Sequence, residues 1–319
     1  MKMYIIYKET KFMSMIKRIE YLEELKKWKD KDLIKVVTGI RRCGKSTLLE
    51  LFIEYLKEEK IDEEHIVSIN LESLEYNFSN YKDLYFYVVS KIKDDKKYHV
   101  FLDEIQNIEG FQKPVDIYIT GSNAFLLSGE LATLLTGRYV EIKMLPLSFK
   151  EYVSAFSGNN NYQSLFLEYM KNGGMHGTIS VLDLGINDIN KYLDSIFSTV
   201  FFKDIMARNK ITDKTILENI IKFILENIVY LELLRRGYRV YVGKVDDLKI
   251  DFVAENQGGL KYFQVSLTVR DAKVLERELR SLQRIGDHYP KYLITMDMDL
   301  SSDYDVITKI NVIDWLLEK

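Results

Sequence analysis

The chain has one cysteine, Cys43, in 319 residues. No internal disulfide can form, and the usage fits a reducing cytosol. Proline is scarce at 3 and glycine stands at 16, so no low-complexity linker is present. No apolar run approaches the roughly 18–20 residues that a bilayer crossing requires. The opening residues, Met1–Met13, have too short an apolar stretch and no small-residue cleavage site, so no signal peptide is expected. Charge of one sign is also missing: 45 basic against 48 acidic residues give a net charge of −3. That balance differs from a strongly basic nucleic-acid binder, although a local basic face stays open. Four histidines (His65, His99, His176, His288) are too scattered for a zinc ligand set. What remains is ample apolar content, 47% of residues, in a length that suggests about two domains. The expectation is a folded cytoplasmic protein without a membrane partner.

Strand and helix patterns alternate in the first half. A surface helix over Ile16–Lys29 precedes a β-branched strand, Leu33–Thr38, ended by Gly39. Ser46–Lys60 has apolar residues at helical spacing. Strands are predicted at Ile66–Asn70, His99–Asp103, Asp116–Thr120 and Val140–Met144, with a helix at Tyr81–Ile92. This alternation argues for a parallel sheet covered on both faces. Helical patterns follow at Ser148–Phe156, Tyr162–Asn172 and Asp188–Asn209. A longer one, Asp213–Arg236, stops at Gly237. Strands at Arg239–Val242, Ile250–Ala254, Tyr262–Ser266 and Tyr292–Met296, with a helix at Asp271–Arg284, make a second, smaller α/β region. The expected boundaries are 1–145, 146–212 and 213–319.

Gly39-Ile40-Arg41-Arg42-Cys43-Gly44-Lys45-Ser46, followed by Thr47, matches G-x-x-x-x-G-K-[ST] in full, between a strand and an amphipathic helix. Glycines let consecutive backbone N–H groups face phosphates, and the helix N-terminus adds partial positive charge. Lys45 would reach the β- and γ-phosphates of ATP, and the Ser46 hydroxyl would ligate Mg²⁺. Arg41 and Arg42 would touch phosphate or a neighbouring subunit, or simply be solvated. Cys43 reads as a small spacer. The strand His99–Asp103 ends in two acids. Asp103 would hold the Mg²⁺ shell and Glu104 would polarise the attacking water. Asn70, Ser122 and Asn123 end strands at the same edge, where they either orient water and sense the γ-phosphate or serve as turn residues. Arg138, just before a strand, is either an arginine finger, in cis or in trans, or a surface arginine.

These blocks, with Asn172–Gly177 (NGGMHG) and Glu226–Glu255, resemble the AAA-type archaeal and bacterial ATPases that carry a C-terminal PD-(D/E)XK nuclease-like domain of unknown function. The resemblance implies an α/β P-loop NTPase fold with an additional strand, a helical lid and a nuclease-like α/β domain. It also implies ATP as the nucleotide and places Asn70, Asp103, Glu104, Ser122 or Asn123, and Arg138 in the roles above. The chain departs from this pattern twice. Residues 104–115 form a short connection between two strands, about the minimum for a parallel crossover. The winged-helix module that relatives carry before Leu225 is missing, which weakens a nucleic-acid partner. In the nuclease-like part Glu226 and Asp251 occupy acidic positions, but Gln264 and Ser266 stand where an acid and a lysine are wanted. The expected function is MgATP hydrolysis coupled to domain movement. The alternatives are a nucleotide-gated binding module with little turnover and a metal-dependent nuclease. Self-association is expected if Arg138 acts in trans.

Overall fold

The computed structural model describes residues 16–40, 42–71, 73, 76, 78, 81–103, 115–122, 138–156, 161–180, 214–298 and 302–318. The described residues fall into two compact units. One lies within Met1–Leu147 and Gly174–Ser180, the other within Ser148–Gly173 and Val181–Lys319.

In the first unit the chain runs α1 (Ile19–Trp28), β1 (Ile34–Gly39), α2 (Lys45–Glu58), β2 (Ile66–Asn70), α3 (Tyr81–Lys91), β3 (His99–Asp103), β4 (Asp116–Ser122) and β5 (Tyr139–Met144). The five strands form one parallel sheet in the order β2-β3-β4-β1-β5. Side chains alternate between faces along each strand, and here both faces are apolar. Val36, Val67, Ile69, Val100, Leu102, Ile117 and Ile119 pack with Leu84 and Val88 of α3 on one side. Val37, Phe101, Tyr118 and Ile142 pack with Leu25 of α1 and Leu48, Leu49, Phe52 and Leu56 of α2 on the other. Each fully buried side chain of this size contributes about 1.5–3 kcal/mol, and a sheet with two apolar faces is stable only between two helical layers. The helices α1, α2 and α3 supply them.

The additional strand is β4, which lies between the glycine-motif strand β1 and the acid-bearing strand β3. β3 and β4 are parallel neighbours, with Leu102 opposite Ile119. A short helix, α6 (His176–Ser180), belongs to this unit, and Leu147 N donates to Gly174 O at 2.6 Å.

The second unit contains α4 (Phe149–Ser154) and α5 (Tyr162–Asn172), then α7 (Lys214–Arg235), β6 (Arg239–Val245), β7 (Leu248–Asn256), β8 (Gly259–Ser266), α8 (Ala272–Gln283) and β9 (Lys291–Thr295). Ser148 opens α4 with a reciprocal capping box to Glu151, which satisfies two N-terminal amides at once. Three further elements close the chain: β10 (Ser302–Tyr304), β11 (Ile307–Asn311) and α9 (Val312–Leu316). The sequence reading did not anticipate them, since β10 and β11 are a three- and a five-residue strand joined by a two-residue turn with Asp305 at φ 56. The sheet order is β10-β11-β9-β8-β7-β6, mixed parallel and antiparallel. The helix expected over Asp188–Asn209 lies outside the described residues. Among those described, no helix is long and apolar enough to cross a membrane.

Candidate functional site

A parallel sheet delivers all its strand ends to one edge. Gly39, Ser122 and Met144 lie level across β1, β4 and β5, and Asn70 lies level with Asp103 across β2 and β3. The loop after β1 therefore opens beside Asp103, one strand removed. Two of its residues, Arg42 (φ 65) and Gly44 (φ 96), are left-handed, the kind of alternation that brings successive amides to face a common point. Gly44 is the N-cap of α2, and its conformation is one that side chains resist. At Gly39 the constraint is space: a Cβ there would meet Met144 O at 2.5 Å and Cys43 Sγ at 2.9 Å.

Lys45 is the first residue of α2 and only 4% exposed. Its Nζ donates to Ile40 O at 3.1 Å and Gly39 O at 3.3 Å, so the ammonium lies folded into the loop that carries it. Ser46 is exposed at the helix start, Thr47 half-buried, and Arg42 exposed. Cys43 is fully buried in the core beneath the loop, and burial raises its thiol pKa, against the pull of Lys45 and Arg18. Asp103 is half-buried, and its Oδ1 accepts a hydrogen bond from Thr120 Oγ1 on the adjacent β4. Asn70 is exposed at the tip of β2. A hydroxyl at a helix start, a half-exposed carboxylate and a lysine within a glycine loop are donors and acceptors suited to a magnesium-bound triphosphate. Burial and the Asp103 charge push the Glu50 carboxyl of α2 upward, which places a second acid near Asp103.

Glu104, Asn123 and Arg41 lie outside the described residues, and for Ser122 only the backbone position is described. The structure separates Arg138 from this edge. Its carbonyl accepts from Ile34 N at 2.9 Å at the start of β1, five residues from Gly39, or roughly 16 Å at the usual strand rise. Sequence reasoning missed Thr120 and Glu50. The hydroxyl of a strand threonine opposite the expected acid was the only available signal, and it needed the β3–β4 register to be read.

In the second unit Glu226 on α7 is close enough to Asp251 on β7 that burial first, and that charge second, raise its carboxyl pKa. Asp251 is 3% exposed. Its Oδ2 accepts from Val265 N at 2.9 Å and its Oδ1 pairs with Lys249 Nζ at 3.1 Å. Gln264 Nε2 donates to Glu278 Oε2 at 2.9 Å, and Ser281 Oγ donates to Gln264 Oε1 at 3.4 Å. Ser266 Oγ donates to Thr268 O at 3.2 Å. The arrangement is a closed polar network in which both oxygens of Asp251 are engaged by donors of the protein.

Residues 31–153 match the AAA domain family. An uncharacterized protein of Haemophilus influenzae is 33% identical over 403 aligned positions, covering 96% of this chain and 99% of the relative. Those positions outnumber this chain's residues, so the relative carries segments within the matched span that this chain lacks. A second uncharacterized protein, from Methanocaldococcus jannaschii, is 30% identical and covers 56% of this chain and 43% of its own length. Among solved structures, a Walker-type ATPase of Pyrococcus abyssi is similar at 17% identity and a TM-score of 0.37, covering 69% of this chain and 75% of that one.

Proposed function

The chain belongs to one family with the Haemophilus influenzae protein and carries an AAA domain of the P-loop ATPase class, and from that premise we propose that it binds MgATP at Gly39–Thr47 and hydrolyses it. The observation that supports this most directly is Lys45, turned into a glycine loop at the C-terminal edge of a parallel sheet whose neighbouring strand tips present Asp103 and Asn70. In this reading the ammonium leaves the carbonyls of Gly39 and Ile40 for the β- and γ-phosphate oxygens. Ser46 and Asp103 hold the metal, and Thr120 fixes the rotamer of Asp103. Bound Mg²⁺ would supply charge neutralisation between the terminal phosphates. Glu104 takes a proton from the attacking water, with Asn70 and Ser122 or Asn123 orienting it. Arg138 lies too far from its own loop along β1, so it serves only a neighbouring copy, and self-association is part of the proposal. Nucleotide state is coupled to movement of the parts that follow residue 145, a helical lid to about 212 and the C-terminal α/β region.

Glu104→Gln should keep MgATP affinity within about threefold while slowing single-turnover phosphate release by at least ~10²-fold, the usual contribution of a positioned base. Release at the wild-type rate would remove Glu104 from the mechanism. The same measurement on wild-type protein separates turnover from a nucleotide-gated module that holds ATP without cleaving it. The segments missing relative to the Haemophilus protein lend that second reading some support.

We read the C-terminal region as a nuclease-like domain without cleavage. Asp251 already has a backbone amide and an ammonium on its two oxygens, and Gln264 is a neutral group held by Glu278 and Ser281. Plasmid incubated with the protein in Mg²⁺ or Mn²⁺ should stay uncut. Cutting that disappears in Asp251→Ala would reverse this assignment.

A further inference from the structure

Among the described residues, the most buried cation that touches the loop comes from outside the motif. Arg18, immediately before α1, is 1% exposed, and a guanidinium is costly to remove from water, so the groups it reaches identify what it serves. Its Nη2 donates to Leu145 O at 2.6 Å and its Nη1 to Cys43 O at 3.4 Å, within the loop itself. Its guanidinium also lies 4.7 Å from the centroid of the Tyr21 ring. Tyr21 in turn accepts from Leu145 N at 3.0 Å, so the first turn of α1 clasps both backbone polar groups of one residue. Leu145 follows Met144, whose carbonyl forms the wall against Gly39. Arg18 holds a left-handed backbone (φ 45), a conformation that non-glycine residues adopt only where surrounding contacts enforce it.

We propose that Arg18, with Tyr21, is a positioning residue of the nucleotide site: it pins the Cys43 carbonyl and the strand that walls Gly39, and so holds the phosphate loop in its binding shape with a fixed positive charge behind it. The proposal rests on the ATP reading for its ligand, but its geometric half can be tested without nucleotide. Cys43 is the only cysteine and is fully buried beneath the loop, so the rate at which a thiol reagent modifies it reports loop opening directly. In the full-length protein, Arg18→Met should raise that rate at least tenfold, and Tyr21→Phe, which deletes one hydroxyl, should raise it by a smaller factor. Leu293→Ala, a core truncation in the other unit, serves as a control matched for loss of melting temperature, and it should leave the rate unchanged. Calorimetry should show Arg18→Met weakening MgATP at least tenfold, ADP less, and adenosine not at all, with Arg18→Lys recovering part of the loss. MgATP should slow modification of Cys43 in the wild type.

Modification of Arg18→Met and Tyr21→Phe at the rate of the Leu293→Ala control overturns the positioning role. Equal losses for ATP and adenosine overturn the role of the charge. Wild-type protein that binds no MgATP sinks the functional reading instead, and the thiol rates still decide whether Arg18 shapes the loop. If Arg18→Met does not fold, Tyr21→Phe and Arg18→Lys carry the same comparison.

Discussion

Lys45→Ala is expected to abolish measurable MgATP binding and to reduce phosphate release by roughly 10²–10³-fold, the scale on which single preorganised donors act in a shielded site. Lys45 as a residue is only 4% exposed. It donates to two loop carbonyls that can each be exchanged for a phosphate oxygen of higher charge. The bonds to the carbonyls and to phosphate are both charge-assisted, but phosphate oxygens add a direct Coulomb attraction to the ammonium that neutral carbonyls lack, so the exchange favours the anion. Alanine removes this donor and keeps the helix start, because alanine is the best helix former at such a position. The melting temperature should therefore move by no more than a few degrees. Calorimetry with ATP and ADP, alongside thermal unfolding, checks both halves. Undiminished affinity in Lys45→Ala would mean that the loop does not grip phosphate.

Asp116→Ala should cost about 3–5 kcal/mol of stability, because it strands a buried cation. Asp116, at the start of β4, pairs with Lys35 of β1, and both side chains are essentially inaccessible. It also accepts from Tyr118 OH at 2.8 Å and Asp30 N at 2.9 Å, with His99 Nδ1 at 3.3 Å. Burial pushes this carboxyl up, but the nearby His99 ring, the Lys35 ammonium and the Asp30 amide prevail and hold it at about 2. Its unfolded value is near 3.8, so on acidification the unfolded chain takes up the proton first. The contribution of Asp116 is complete above about pH 4 and is lost as pH falls towards 2, amounting to about 2 kcal/mol at 1.36 kcal/mol per pH unit. Denaturant unfolding between pH 5 and 2 should show this slope in wild type and a shallower one in Asp116→Asn. The double variant Lys35→Met, Asp116→Val should recover much of the loss. If the alanine variant is as stable as wild type, the buried pair is not an anchor.

Much of the first unit could be read directly from residue order. Val36 and Val37, or Phe101 and Leu102, are consecutive apolar residues whose side chains must leave the strand on opposite faces. The structure places them in separate clusters under separate helices. The glycine motif was equally visible, because its residue types are tied to a backbone shape. Arg18 was invisible for the opposite reason: its partners lie 25 and 127 residues away, and nothing local distinguishes it from a surface arginine at the head of a helix. Thr120 likewise acquires meaning only once β3 and β4 are known to be neighbours. Arg138 could have been placed correctly from order alone. A residue that precedes a parallel strand sits at the edge opposite the one its successors reach, and that edge is where Ile34 holds it. The short hairpin Ser302–Asn311 went unread because three- and five-residue strands carry too few alternations to stand out.

The strands of the first sheet have different tasks at their two ends. Their beginnings carry the Lys35–Asp116 anchor, and their tips carry Gly39, Asn70 and Asp103. With a sheet's length between cohesion and the proposed chemistry, substitutions at the tips are expected to leave the folding of this unit largely intact.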